Sequence, residues 1–125
     1  MNHPEHPKYA KTHEWALVEN NVVISGISDH AQDSLGDLVY VELPVMGQVY
    51  KQGEQIGVVE SVKTASDIHA PVTGKVIEIN TALEDDAEII NTDPYIEGWI
   101  YKMEPVDLNE MDELLDAEEY EHSID

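Results

Sequence analysis

The chain has 125 residues, 42% of them apolar, and sets 27 Asp and Glu against six lysines and no arginine, a formal net charge of −21. Such a length suits one domain with a modest core, while the scattered lysines leave nothing to neutralise phosphates, which argues against nucleic acid and anionic membranes as partners. Cysteine is absent, so disulfides, thiolate metal sites and a Cys nucleophile drop out and a cytoplasmic setting is expected.

Residues 1–8 are polar, with two prolines and two histidines. They read as a flexible tail without the apolar stretch of a signal peptide, and a single domain is expected over 9–125. Segments 22–25, 38–43, 55–62, 66–69, 75–79 and 99–103 are rich in Val, Ile and Tyr between glycines and prolines, and predict strands. Between the first two, 28–35 predicts a helix: Ser28 or Asp29 can accept from the free amides of a first turn, and Gly36 can end it. Pro71-Val72-Thr73-Gly74 reads as a turn. Residues 80–91 read as a loop with one helical turn near Leu83. Beyond Pro105 the composition shifts, and 104–125 carries ten acidic residues and no lysine. There Leu108, Met111, Leu114 and Leu115 share one helical face, which predicts a C-terminal helix over about 107–121 docked on a β core. Residues 122–125 are expected to fray. Trp15, Trp99, Tyr40 and Tyr95 are assigned to the core or its rim. The fold class is mainly β.

Lys63 is the residue best placed for chemistry. It falls in a short turn between two strand segments, with Gly53 and Gly57 before it and Gly74 after it. A lysine at a hairpin tip keeps its amine solvated while its backbone is rigidly presented. A modifying enzyme that must acylate one lysine needs that, and so does a tethered group that must swing. Lys51 and Lys75 lack the flanking pattern and read as ordinary solvated lysines. Ser28-Asp29-His30 has the residue types of a triad, but consecutively and without a nucleophile elbow, so a helix start is the better reading. His69 reads as surface. His3 and His6 lie in the tail, and the acidic run 83–88 lacks the alternating ligands of a calcium loop. Neither a metal site nor a catalytic group is expected.

Glu60-Ser61-Val62-Lys63-Thr64, followed by Ser66-Asp67 and Pro71-Val72-Thr73-Gly74, resembles the lipoyl-lysine loop of the glycine cleavage system H-protein family. The resemblance extends through His13-Glu14-Trp15, Gly26 to Gln32, Leu35 to Pro44, Asn91-Thr92-Asp93-Pro94-Tyr95 and Gly98-Trp99, covering roughly residues 9 to 120. It implies a barrel-sandwich hybrid with short helices and a C-terminal helix. It also implies lipoate in amide linkage to Lys63, with Glu60, Ser61, Val62 and Thr64 as the recognition turn. Thr12, Glu14 and Asp67 match the positions that hold the amine of the loaded arm. The implied role is a carrier, not an enzyme. It would take the aminomethyl group of glycine from a pyridoxal-phosphate decarboxylase to a tetrahydrofolate-dependent aminomethyltransferase, and be reoxidised by dihydrolipoamide dehydrogenase. A lipoate ligase or an octanoyl or lipoyl transferase would attach the cofactor, and a monomer is expected.

Three positions depart from the family pattern: Thr12 stands where Ser is frequent, Thr64 where Ala is frequent, and Ala87 where Pro is common, which predicts a looser loop before Ile89. The rival readings are a relay that donates lipoyl groups to other lipoyl domains and an unmodified acidic interaction module. On the carrier reading, the acidic faces are expected to meet basic patches on the partner enzymes.

Overall fold

Two antiparallel sheets share one apolar core in the computed structural model, which describes residues 3–124. In chain order the strands are β1 (Lys8–Tyr9), β2 (Glu14–Glu19), β3 (Val22–Ile27), β4 (Leu38–Glu42), β5 (Val49–Tyr50), β6 (Gln55–Ser61), β7 (Ala65–His69), β8 (Gly74–Ile79) and β9 (Tyr101–Pro105). The larger sheet is ordered β1-β2-β3-β9-β8-β5 and the smaller β4-β6-β7. Ala16, Val23, Ile27, Val76 and Met103 of the first sheet meet Leu38, Val41, Ile56, Val59 and Ile68 of the second in the core. Burying a side chain of this size stabilises by about 1.5–3 kcal/mol. The mainly β architecture agrees with the sequence reading, and each of the six expected strands is present within a few residues. No helix among the described residues is long and apolar enough to cross a membrane.

Helix α1 (Asp29–Leu35) forms where its caps are. The Ser28 hydroxyl accepts from the Ala31 N–H at 3.2 Å, and Gly36, at φ 84°, donates its N–H to the Gln32 carbonyl. The left-handed φ suits glycine because no Cβ crowds it. The stretch 80–91 is more ordered than the expected loop. It holds the single-turn helices α2 (Ala82–Asp85) and α3 (Ile89–Thr92), pinned by the buried Leu83 and Ile90. Ala87, at the position expected to loosen this stretch, packs in the core.

Strands β1, β2 and β5 were not expected. The β2–β3 hairpin turns on Asn20 and Asn21, both left-handed (φ 51° and 64°). Two such residues between paired strands are the signature of the tight turn that matches strand twist, and Asn tolerates it. That pair was the available signal for β2.

The C-terminus corrects the expected continuous helix over 107–121. Leu108–Glu113 is a 3-10 helix, Leu114 is extended, and only Ala117–Ser123 (α4) is α-helical. The break has a backbone cause. Tyr9 and Leu115 exchange both N–H···O bonds, at 2.7 and 2.8 Å, so residue 115 serves the open edge of β1 instead of a helix. Asp116 then restarts the helix through a reciprocal cap with Glu119. The four apolar residues diverge accordingly: Met111 and Leu114 pack on the main core, Leu115 on a second cluster around Tyr9, Trp15, Ala117 and Tyr120, and Leu108 stays 37% exposed. α4 extends through Ser123, whose hydroxyl donates to the Tyr120 carbonyl at 2.6 Å, so of the stretch expected to fray 122–123 are helical.

The N-terminal segment, expected as a free tail, is also engaged. The Tyr9 hydroxyl donates to the Pro4 carbonyl at 2.7 Å, Pro7 is buried, and the His3 ring meets Tyr9 and Tyr120 edge-on. Residues 1, 2 and 125 lie outside the described residues.

Gly57 of β6 lies tight against the backbone of β4. A Cβ there would lie 2.6 Å from the Glu42 carbonyl oxygen. Backbone cannot yield as a flexible side chain does, so Gly57→Ala is expected to lower unfolding free energy by about 1–3 kcal/mol, the usual cost of overpacking. Urea denaturation of variant and parent measures it.

Candidate functional site

The turn between β6 and β7 is built around one hydroxyl. Ser61 Oγ accepts from the N–H groups of Lys63 (3.3 Å) and Thr64 (3.1 Å), and the Ser61 N–H donates to the Thr64 carbonyl at 2.7 Å. Ser61 is buried, whereas Glu60, Val62, Lys63 and Thr64 are exposed. The Val62 N–H donates to the Asp37 carbonyl at 3.1 Å, which ties the turn to the segment entering β4. Asn91 fixes that segment in turn. Its Nδ2 donates to the Gly36 carbonyl and its Oδ1 accepts from the Leu38 N–H, each at 2.9 Å. In the sequence Asn91 falls within a family motif, with no local signal of this role. The side chain of Lys63 leans over Gly36: a Cβ on that glycine would lie 3.7 Å from Lys63 Cε.

Leu35, one residue before Gly36, lines a cleft of about 160 Å³. Ile27, Ala31, Leu35 and Val59 give it apolar walls, and Thr12, Glu14 and Asp67 are among its polar lining. The three residues expected to act on an amine thus line one cavity, though not alike. Glu14 is 1% exposed. The Thr12 hydroxyl donates to its Oε1, and its Oε2 accepts from the His69 backbone N–H at 2.8 Å with the His69 ring Nδ1 at 3.3 Å. Asp67 is exposed on β7 and accepts from Gln55 Nε2 at 3.2 Å. His69 is therefore half-buried against a carboxylate, not the surface residue expected. Its strand position gave no hint, because the contact depends on a side chain of β2 reaching across to the other sheet.

His13 and His30 also line the cleft. His13 takes a left-handed backbone (φ 82°), and its Nδ1 lies 2.7 Å from the Tyr120 hydroxyl, which in turn lies 2.6 Å from Ser28 Oγ. Burial and the neighbouring His30 push the His13 pKa down. This chain links the cleft to α4, a connection between distant segments that no local pattern announces.

Burial pushes the Glu14 carboxyl above its usual range, and the bonds from Thr12 and His69 pull only part of that back. Among the described residues no lysine stands within ion-pair distance of it. A buried carboxylate with hydrogen bonds but no permanent cation favours a cationic ligand over water.

The sandwich of two sheets and the single lysine displayed on its hairpin define a carrier domain of the lipoyl type. A family model described as glycine cleavage H-protein matches residues 7–125. The glycine cleavage system H protein of Acinetobacter baylyi is 61% identical over 99% of this chain and 100% of its own length. That of Thermus thermophilus is 56% identical over 100% and 98%. The crystal structure of a glycine cleavage system H protein from Mycobacterium marinum superimposes with a TM-score of 0.91, at 41% identity and 98% coverage of both chains. The chain belongs to the glycine cleavage H-protein family and is a carrier subunit of that system, not a catalytic enzyme. Proteins of this family carry lipoate and work with the other glycine cleavage components.

The raised pKa of Glu14 has a definite sign in stability. Between the ordinary value of 4.5 and the raised native value, the unfolded chain has released a proton that the native state still holds. Unfolding free energy therefore falls as pH rises through that window, and the full penalty is present above it. Glu14→Gln removes this dependence; its amide oxygen can accept from the His69 N–H while its NH2 donates to the Thr12 hydroxyl oxygen, reversing that bond. Its stability relative to the parent, measured by urea denaturation, is expected to improve from pH 4 to pH 7.

Proposed function

We propose that Lys63 is the lipoyl attachment site, and that the chain carries the aminomethyl group of glycine from the decarboxylase to the aminomethyltransferase before reoxidation by dihydrolipoamide dehydrogenase. A lipoate ligase or an octanoyl or lipoyl transferase installs the arm, and the carrier works as a monomer in the cytoplasm. The observation that carries the reading is the pairing of an exposed, rigidly based lysine with a neighbouring cleft whose buried carboxylate has no lysine in reach and only the His69 ring, cationic when protonated, beside it.

The residues suit the cofactor. A slender acyl chain needs apolar walls, which Ile27, Ala31, Leu35 and Val59 offer. When bound, lipoate supplies a disulfide that is reduced as it accepts the aminomethyl group. The protein's part is positional and electrostatic. Ser61 fixes the turn and Asn91 fixes the segment beneath it. Glu14 offers a carboxylate to the ammonium, Thr12 and His69 hold that carboxylate in place, and Asp67 adds negative charge at the same cleft. Apolar walls exclude the water that would hydrolyse the loaded arm. The acidic surface favours brief encounters with basic partner faces.

Intact-mass and peptide mass spectrometry after expression with lipoate tests the assignment. The expected result is one lipoyl adduct per chain, on Lys63, with none on Lys51 or Lys75. Lys63→Arg should carry none and support no glycine decarboxylation in the reconstituted system. An adduct elsewhere, or activity of the arginine variant, would refute it.

A further inference from the structure

Tyr40 was expected in the core or its rim and is instead 51% exposed, beside Val39 at 61%. The register explains both. β4 pairs with β6 at Leu38↔Ser61 and again at Tyr40↔Glu60, so Val39 is an extra residue without a partner. This bulge turns two consecutive large side chains outward between the buried Leu38 and Val41. Val62 is 75% exposed, and its N–H bond to the Asp37 carbonyl continues the ladder beyond Ser61. Glu60, near the end of β6, is exposed opposite Tyr40 in the register, and Val62, the first residue past the strand, is exposed beside Asp37. Lys63 follows Val62 directly. Three large apolar side chains thus stand in solvent next to the lysine, among the carboxylates of Asp37, Glu42 and Glu60.

We propose that Val39, Tyr40 and Val62, with this acidic rim, are the docking face for the enzyme that acylates Lys63. The proposal rests on the lipoyl-carrier reading and adds the surface that makes the modification selective. Reach decides the occupant. Before modification the amine extends only as far as its own four-carbon stem, so the acylating enzyme must bring its active site down to the turn and cover what lies beside it. Enzymes that use the finished carrier meet the far end of a longer arm and have no such obligation. Charge sets the complement: an apolar patch ringed by carboxylates fits an apolar pocket with a basic rim. In the step itself, Lys63 Nζ attacks the carbonyl carbon of an acyl group activated as an adenylate or thioester. A C–N bond forms, the bond to the adenylate oxygen or thioester sulfur breaks, and the amine loses its proton.

The test compares acylation of purified unmodified protein by a lipoate ligase supplied with lipoate and ATP, followed by intact mass. The double variant Val39→Ser, Tyr40→Ser and the single variant Val62→Ser should each lose at least tenfold in kcat/KM, mainly through KM. Val45→Ser with Met46→Ser, on an exposed apolar patch away from the bulge, should leave kcat/KM within twofold of the parent. Hydrogen exchange on the parent protein should show 37–42 and 60–62 protected when the ligase binds, a readout independent of how well the variants fold. Acylation of the bulge variants at the parent rate overturns the proposal. So does normal acylation combined with a tenfold loss in aminomethyl loading by the decarboxylase, which would assign the face to that enzyme. A parent protein whose Lys63 accepts no acyl group overturns the carrier reading, and the docking face with it.

Discussion

A carboxylate held inside the protein without a permanent cation is the constraint around which the rest of this structure is arranged. Glu14 opens β2 in the larger sheet, yet its Oε2 accepts from the backbone of His69, the last residue of β7 in the smaller sheet. One side chain therefore joins the two sheets at the cleft. An unpaired buried charge is costly, and here Thr12 and the His69 N–H offset part of that cost without neutralising it. A residual penalty of this kind favours a cationic ligand over water.

The lysine side of the site follows the opposite principle. Its backbone is over-determined, by Ser61 within the turn, by Asp37 beneath it and by Asn91 behind that, while its side chain is left in solvent. Rigidity at the anchor and freedom beyond it are what a swinging tether requires. The bulge in β4 belongs to the same design. It leaves the core-facing Leu38 and Val41 in place while turning Val39 and Tyr40 outward, so the surface beside the lysine changes without loosening the sheet.

Much of this was legible in the sequence because it is local. Ser28 and Gly36 mark the ends of α1, the β-rich segments between glycines become strands, and Lys63 sits in the turn the pattern indicated. Thr12, Glu14 and Asp67 could be named together because each matches a position of the family's amine-holding set, and all three line one cleft. What stayed hidden depends on contacts between distant segments. His69 reaches Glu14 across 55 residues, and Tyr120 reaches His13 across 107. Leu115 abandons a helical pattern to pair with Tyr9, since an open strand edge outweighs the stripe of Leu108, Met111, Leu114 and Leu115. Residue types alone cannot say which edge will need a partner. Nor could they show the bulge at Val39, which appears only in the register with β6.

The central claim is that Glu14 awaits a positive charge that the loaded arm brings. Isotope-edited NMR titration of the Glu14 side-chain carboxyl, in the unloaded carrier and again with the aminomethyl group in place, tests it most directly. A pKa above 4.5 is expected in the unloaded protein, where burial dominates, and a clear fall on loading as the ammonium stabilises the ionised form. A Glu14 pKa that is unchanged by loading would contradict it.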